Sequence, residues 1–231
     1  MTTKKQIKTL FARLTARNDD LVVKDHYIFK VPYLVLRPMQ HVSRSISIDR
    51  TSRADDPDFS WHVGHCFGPF RSVGGFSAES FWLPRGKPSR WSEAGFMETA
   101  VEEIETNILP MLRRVQAIED MFRIEGVPRS HEYDGWLNHY PPYRLAIAAA
   151  LGRWEESLAV YEDIKDTHLR MTSWPRADYE KASELGALIA DGDRAGVASL
   201  LHGWEDGFVA RNGLEDIYER TPFPLELQQQ P

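Results

Sequence analysis

Hydrophobic and polar positions alternate most regularly between His41 and Phe70. From Val42 to Asp49, the residues Val42, Arg44, Ile46 and Ile48 take one side while Ser43, Ser45, Ser47 and Asp49 take the other. This is the period of two expected of a strand with one buried face. The pattern returns from Phe59 to Phe67, with Phe59, Trp61, Val63, His65 and Phe67 on one side and Ser60, His62, Gly64 and Cys66 on the other. The stretch from Arg50 to Asp58 holds no hydrophobic residue larger than Ala54, so an antiparallel hairpin is the economical connection. A symmetric loop sets Ile48 opposite Phe59 and Arg44 opposite Val63, with His65 one pair further along. Arg44 and His65 are then the two polar intruders on the apolar side.

The same reading extends along the chain. Residues 4 to 17 carry Ile7, Leu10, Phe11 and Leu14 on one face, the spacing of a short amphipathic helix that Asn18, Asp19 and Asp20 end. LVVKDHYIFKVPYLVLRP is rich in β-branched and aromatic residues and is punctuated by Pro32 and Pro38, which predicts two short strands or one bent edge strand. Gly68 to Gly75 reads as a loop, and FSAESFWL supplies a further strand. A helix is expected to start at Ser92 and Glu93. From there Met97, Val101, Ile104, Ile108, Met111, Leu112, Val115, Ile118 and Phe122 recur every three or four residues, with Pro110 predicting a kink. That helix is expected to lie across the sheet, with Glu98, Glu102, Glu105 and Glu119 on a solvated outer face.

Gly126, Pro128 and the polar run to Asp134 mark a domain boundary. Beyond it, YPPYRLAIAAALGRWEESLAVYEDIKD predicts two helices broken at Gly152, and ADYEKASELGALIADGDRAGVASLLHGWEDGFVARNG a second pair broken at Asp191, Gly192 and Asp193. The tail from Thr221, TPFPLELQQQP, is expected to be extended or frayed. The fold class is therefore α+β: an antiparallel sheet packed by a long kinked helix over residues 1–125, followed by a small all-helical domain of two helical hairpins over 126–231.

Within the first predicted hairpin, the run GRWEESLAVY has a glycine at the turn, an aromatic two residues later, a small residue five later and an aromatic nine later. Gly152, Trp154, Ser157 and Tyr161 fill those slots, and the run resembles the turn and second helix of a tetratricopeptide repeat. The resemblance implies helical-hairpin packing in which the small residues let helices approach and the aromatics fill the space between hairpins. It carries no peptide-binding residues with it. The N-terminal half, helix then sheet then proline-bearing helix, is similar to small bacterial domains of unknown function of the DUF4304 type, some associated with polymorphic-toxin immunity. That similarity implies a protein partner.

Composition narrows the classes. The 231 residues are 42% hydrophobic and 27% charged, ordinary for a globular chain with a sizeable core. A net charge of −6 with scattered Lys and Arg speaks against nucleic acid as a partner. The single cysteine, Cys66, excludes an intramolecular disulfide and a multi-cysteine zinc site. MTTKKQIKTLFARL has no apolar run of signal-peptide length and no stretch reaches the length of a membrane span, so the expectation is a cytoplasmic protein without a membrane partner.

Arg44 and His65 on an inner face need partners, because an unpaired buried charge costs several kcal/mol, about the size of a domain's whole stability margin. Either Arg44 snorkels to the sheet edge and His65 donates to a backbone carbonyl, or the two share a ligand or partner site with His41 and Trp61. Other clusters give less. In His62, His65 and Cys66 the histidines point to opposite faces of a strand, so no metal site forms without a bulge. His62 and Cys66 stand roughly 13 Å apart along a strand, too far for a nucleophile and its base. His131, Glu132, Asp134 and His139 lack the HExxH spacing and read as surface linker. GPFRSVGG lacks the lysine and following helix of a phosphate loop. No catalytic residue, metal ligand or cofactor is called for. Among seven tryptophans, one or two at an exposed seam would suit a partner surface. The reading is a cytoplasmic protein-interaction module of the adaptor or immunity kind, its partner another protein. The rival reading is a small-molecule binding protein or enzyme whose pocket, between sheet and long helix, uses Arg44 and His65 with His41 nearby.

Overall fold

The computed structural model describes residues 2–25, 31–49, 55–68, 77–124, 140–168 and 176–228. The stretch from Gly126 to Asp134, which the sequence marks as a boundary, and the His131 to His139 cluster lie outside the described residues. The chain divides into two units, each drawn from separated stretches: Met1–His65, Ser72–Met121 and Arg211–Glu219 form one, and Cys66–Arg71, Phe122–Ala210 and Arg220–Pro231 the other.

The first unit opens with α1, Lys4–Thr15, started by a reciprocal cap. Gln6 N–H donates to the Thr3 hydroxyl at 3.2 Å, and Thr3 N–H donates to the Gln6 side-chain oxygen at 2.8 Å. Its apolar stripe, Ile7, Leu10, Phe11 and Leu14, is wholly buried, and the helix packs on β1, β2 and α2. Five antiparallel strands follow in sequence order: β1 Leu21–Asp25, β2 Pro32–Leu36, β3 Val42–Asp49, β4 Asp58–His65 and β5 Ser77–Phe81. Pro32 starts β2, where its missing donor costs least. Every residue of β2 is buried, which accounts for its unbroken apolar run, whereas β1 alternates.

The expected proline kink takes the form of a widened turn. α2, Phe96–Glu103, passes into a π-helical turn at Ile104–Ile108 and then α3, Leu109–Arg114. The Leu109 N–H reaches the carbonyl of Ile104, five residues back, so the chain makes room for the Pro110 ring that an α-turn would drive into the carbonyl of Thr106. Two expectations about this helix need correction. It starts at Phe96, after Gly95 in the left-handed region (φ 84°), because Ser92 N–H donates to the Asp55 carboxylate at 3.0 Å instead of opening a helix. It ends at Arg114 rather than Phe122. Val115 turns extended, and the Asp120 carboxylate accepts from the N–H groups of Gln116 and Ala117 at 2.9 and 2.8 Å, opening a separate 3₁₀ turn, Ile118–Phe122. Val115, Ile118 and Met121 are buried all the same, so the apolar rhythm outlasts the helix.

The second unit contains α4 Pro141–Ala150, α5 Trp154–His168, α6 Arg176–Ala190 and, as far as Ala210, α7 Arg194–Asn212. α4 packs on both α5 and α6, and α5 on α6, so the first helices of the two hairpins touch as well as the successive ones. Leu145 to Leu151 are all buried, and alanine there is what permits that double approach. The tail corrects the expectation of a frayed end. Pro224–Leu227 forms a single helical turn, α8, which packs on α4, and Phe223 and Leu225 are fully buried.

Candidate functional site

The hairpin register places Arg44 opposite Val63, His65 opposite Val42, Ile46 opposite Trp61 and Ile48 opposite Phe59. Residues directly paired in an antiparallel ladder share a face, so Arg44 and His65 are diagonal neighbours among Val42, Ile46, Val63 and Trp61. All are buried, Arg44 at 8% and His65 at 5% exposure, with His41 and Trp61 equally enclosed. The guanidinium reaches out of this apolar environment: its Nη2 donates to the carbonyl of Pro38 at 2.6 Å. Pro38 belongs to the β2–β3 turn, whose next residue, Met39, exchanges backbone bonds with the 211–219 segment. Met39 N–H donates to Ile217 at 2.9 Å, and Met39 accepts from Glu219 at 2.8 Å. Arg44 therefore sits at the foundation of a turn to which another stretch of its unit is tied.

The clefts on the first unit include two of similar size. One, of about 470 Å³, lies between α1 and the widened turn and is lined by Arg13, Arg17, Glu98 and Glu105 among others. Its charges pair with each other, Arg13 with Glu98 at 2.6 Å and Arg17 with Glu105 at 3.2 Å. The other, of about 460 Å³, is rimmed by Asp19, Asp20, Arg37, Asp216 and Glu219. Two of these carboxylates are paired: Arg113 grips both oxygens of Asp20 at 2.8 Å, and the ammonium of Lys24 bonds the Asp216 carboxylate. Asp20 is held below the usual carboxylate range chiefly by the Arg113 hydrogen bond, with Arg44 adding to it from further off. Neither cleft is lined by Arg44, His65, His41 or Trp61.

The opposite face of the hairpin gives His62, weighed above only with His65 and Cys66, a different partner. Ser47 and His62, diagonal neighbours across the ladder, share a hydrogen bond of 2.8 Å between hydroxyl and Nε2. At the end of the same face Asp49 and Asp58 stand directly opposite one another, and the Asp49 carboxyl is pushed up by burial and by the Asp58 charge. The signal lay in the alternation itself, since Ser47, Asp49, Asp58 and His62 are all off the apolar side. Asp58 lies four residues and roughly 13 Å along the strand from His62, too far to orient that imidazole. β4 is continuous from Asp58 to His65, so His62 and His65 face opposite sides, and among the described residues no group of three or more His, Cys, Asp or Glu could hold a metal ion.

In the second unit the four hairpin residues act together. Gly152 takes the left-handed conformation (φ 69°) that closes the α4–α5 turn. Ser157 is fully buried, its hydroxyl donating to the Arg153 carbonyl at 2.9 Å. The Trp154 ring lies 5.0 Å from the Arg194 guanidinium, and the Tyr161 ring packs onto Gly186 of α6. The second turn repeats the first. Gly192 has φ 72°, and the donors Gly152, Arg153, Trp154 and Ser157 and their acceptors recur forty residues on as Gly192, Asp193, Arg194 and Val197 with theirs, every bond between 2.9 and 3.1 Å.

The tail adds a charged cluster that sequence reasoning missed. His202 on α7 shares 2.9 Å with the Glu226 carboxylate and lies 3.5 Å from Glu205, which is fully buried. These carboxylates, Glu205 foremost, raise the His202 pKa above its ordinary value against burial and the more distant Arg220. Phe223 sits edge-on to Phe67 with centroids 5.0 Å apart and 4.5 Å from the His202 ring. No protein-family model, curated protein or solved structure matches this chain. Among the described residues no helix is long and apolar enough to cross a membrane.

Proposed function

We propose that the chain is a protein-interaction module of the adaptor or immunity kind, recognising another protein rather than transforming a small molecule. The observation that carries this reading is Trp82, 78% exposed immediately after β5, the terminal strand of the sheet. A tryptophan in water forgoes a large burial free energy, and tryptophan and arginine dominate binding at protein interfaces. Arg85 and Lys87 follow it, both exposed, while Arg90 beyond them pairs with Asp56 at 3.3 Å, so the segment sets an open indole beside two positive charges on an otherwise acidic chain. An acidic partner surface is the complement. The burial of Arg44 and His65 among apolar strand neighbours favours this reading over a pocket that uses them. The stacked hairpins add support by fold-level analogy, because such stacks present extended recognition surfaces.

The test is affinity capture from the native cell with wild-type, Trp82→Ala and Arg85→Glu chains. A partner retained by the wild type and lost by both variants, with thermal unfolding unchanged, is the expected result. A folded Trp82→Ala chain that retains the same partner at undiminished yield overturns the reading.

A further inference from the structure

The tail from Thr221 to Gln228 is bound more like a docked peptide than like an element of the fold. Glu219 to Phe223 carry no helix or strand, and α8 is a single turn, too short to be stable on its own. Its order comes from side-chain anchors. Phe223 fills a space walled by Phe67 and the His202 ring, Pro224 starts the turn, and Leu225 is buried. Glu226 closes the turn by accepting from the Phe223 N–H at 2.6 Å while meeting His202 at 2.9 Å. Gln228 donates to the Leu151 carbonyl at 3.1 Å and lies so close to Gly152 that a Cβ there would stand 2.4 Å from its side-chain oxygen. Leu227 points away, 57% exposed.

The receiving side is built for this occupant. Glu205, fully buried, backs the His202 ring and presents it to a carboxylate, while an aromatic wall and the Leu151 backbone carbonyl at a glycine turn complete the cradle. We propose that this cradle, formed by Phe67, His202, Glu205 and the Leu151–Gly152 turn, is a peptide-binding site for a Phe-Pro-hydrophobic-Glu segment of a partner protein, kept closed by the chain's own residues 221–228. The proposal rests on the interaction reading and deepens it by naming the recognised chemistry, with residues other than those around Trp82. Tethering gives the tail a high effective concentration, so the cradle opens to a partner only when the tail yields.

The test uses the full chain carrying Phe223→Ala and a fluorescein-labelled peptide, Thr-Pro-Phe-Pro-Leu-Glu-Leu-Gln, followed by fluorescence anisotropy. The variant is expected to bind the peptide about ten-fold or more tightly than the wild type, whose tail competes. Replacing the peptide's Phe by Ala or its Glu by Gln, or adding His202→Gln to the chain, is expected to weaken binding about ten-fold. Among the described groups, those facing His202 include Glu205 on its own helix, Glu226 or its peptide counterpart, and Arg220, so the imidazolium is the binding form and affinity falls as pH rises. A folded Phe223→Ala chain that ignores the peptide, or binds the Phe-to-Ala peptide equally, overturns the proposal. If that variant does not fold, hydrogen exchange in the wild type decides. Amides of residues 226–228 exchanging by local opening, faster than those of α7, support it, and exchange only at the global unfolding rate overturns it. A wild-type dimer that Phe223→Ala abolishes gives the cradle to a second copy and also overturns it. Failure here alongside loss of partner by Trp82→Ala leaves the interaction reading standing, so the two failures are distinguishable.

Discussion

Gly186 on α6 lies directly beneath the ring of Tyr161 on α5, so close that a Cβ built at position 186 would stand 2.0 Å from Cδ2 and 2.5 Å from Cγ. The obstructing atoms belong to the root of the ring as well as its rim, so turning the ring about χ2 does not clear them and the whole side chain or the backbone has to shift. Gly186→Ala is therefore expected to destabilise the protein by about 1–3 kcal/mol, the cost of overpacking, against the roughly 1 kcal/mol that alanine normally gains over glycine in a helix. Gly203 on α7, with nothing within 4 Å of its Cβ position, supplies the contrast: Gly203→Ala is expected to stabilise by about 0.5–1 kcal/mol. Urea denaturation of both variants checks the pair, and shifts of the same sign would show that the hairpins do not meet through Tyr161.

Arg44 is held at both ends, its stem among Val42, Val63 and Trp61 and its Nη2 on the Pro38 carbonyl at 2.6 Å. Arg44→Ala removes the packing and the bond to the turn together and is expected to cost about 2–4 kcal/mol. Arg44→Met keeps most of the volume in an apolar setting and is expected to recover at least half of that loss. Chemical denaturation midpoints decide it. An Arg44→Ala loss below about 0.5 kcal/mol, the scale of an ordinary surface change, would mean that the guanidinium does not brace the turn.

What the sequence disclosed and what it concealed follow from range. The register of β3 and β4 was legible because one alternation set both strands and a loop without large hydrophobic residues joined them, so Arg44 against Val63 and Ile48 against Phe59 could be read directly. The α1 stripe and the glycine turns were equally local. The end of α3 was hidden because burial continued at Val115 and Ile118 after the helical backbone had stopped, and an Asp120 cap does not show in the apolar rhythm. The tail was hidden for a different reason: TPFPLELQ looks polar and proline-bearing on its own, and only Phe67, His202 and Leu151, remote in sequence, make Phe223 and Gln228 fit. The bond between Ser47 and His62 was within reach, since both fall on the polar side of a register already read.

His202 makes stability depend on pH with a defined sign. Its folded pKa is raised above the ordinary 6.5, first by Glu205 and then by Glu226, so its contribution is fully present below about 6.5 and is lost as pH rises through the folded value. The wild type is therefore expected to lose stability as pH rises above about 6.5. His202→Gln is expected to flatten that slope and to cost about 1.5–3 kcal/mol at the acid end, the worth of a hydrogen bond to a charged group. Denaturation midpoints at several pH values check this, and a variant with the wild-type slope would show that another group carries it.

Asp49 and Asp58 pose the opposite case, a repulsion the fold tolerates. They stand directly opposite across the hairpin, and burial first, then the Asp58 charge, raises the Asp49 pKa from its ordinary 3.8. A carboxyl raised on folding is penalised while ionised, so the cost is present at neutral pH and disappears as pH falls through the raised value toward 3.8. Asp49→Asn is expected to stabilise at neutral pH by about 0.2–1 kcal/mol, the scale of a like-charge cross-strand pair, discounted because the position is largely exposed. The gain is expected to fade as pH drops below 3.8, where the Asp49 carboxyl is protonated in the folded and the unfolded chain alike. Asp58→Asn alone should give a similar gain, and the double variant should fall short of their sum, since removing either charge already ends the repulsion. A double-mutant cycle by urea denaturation reads that coupling directly, and strictly additive gains would mean that each aspartate suffers from burial alone.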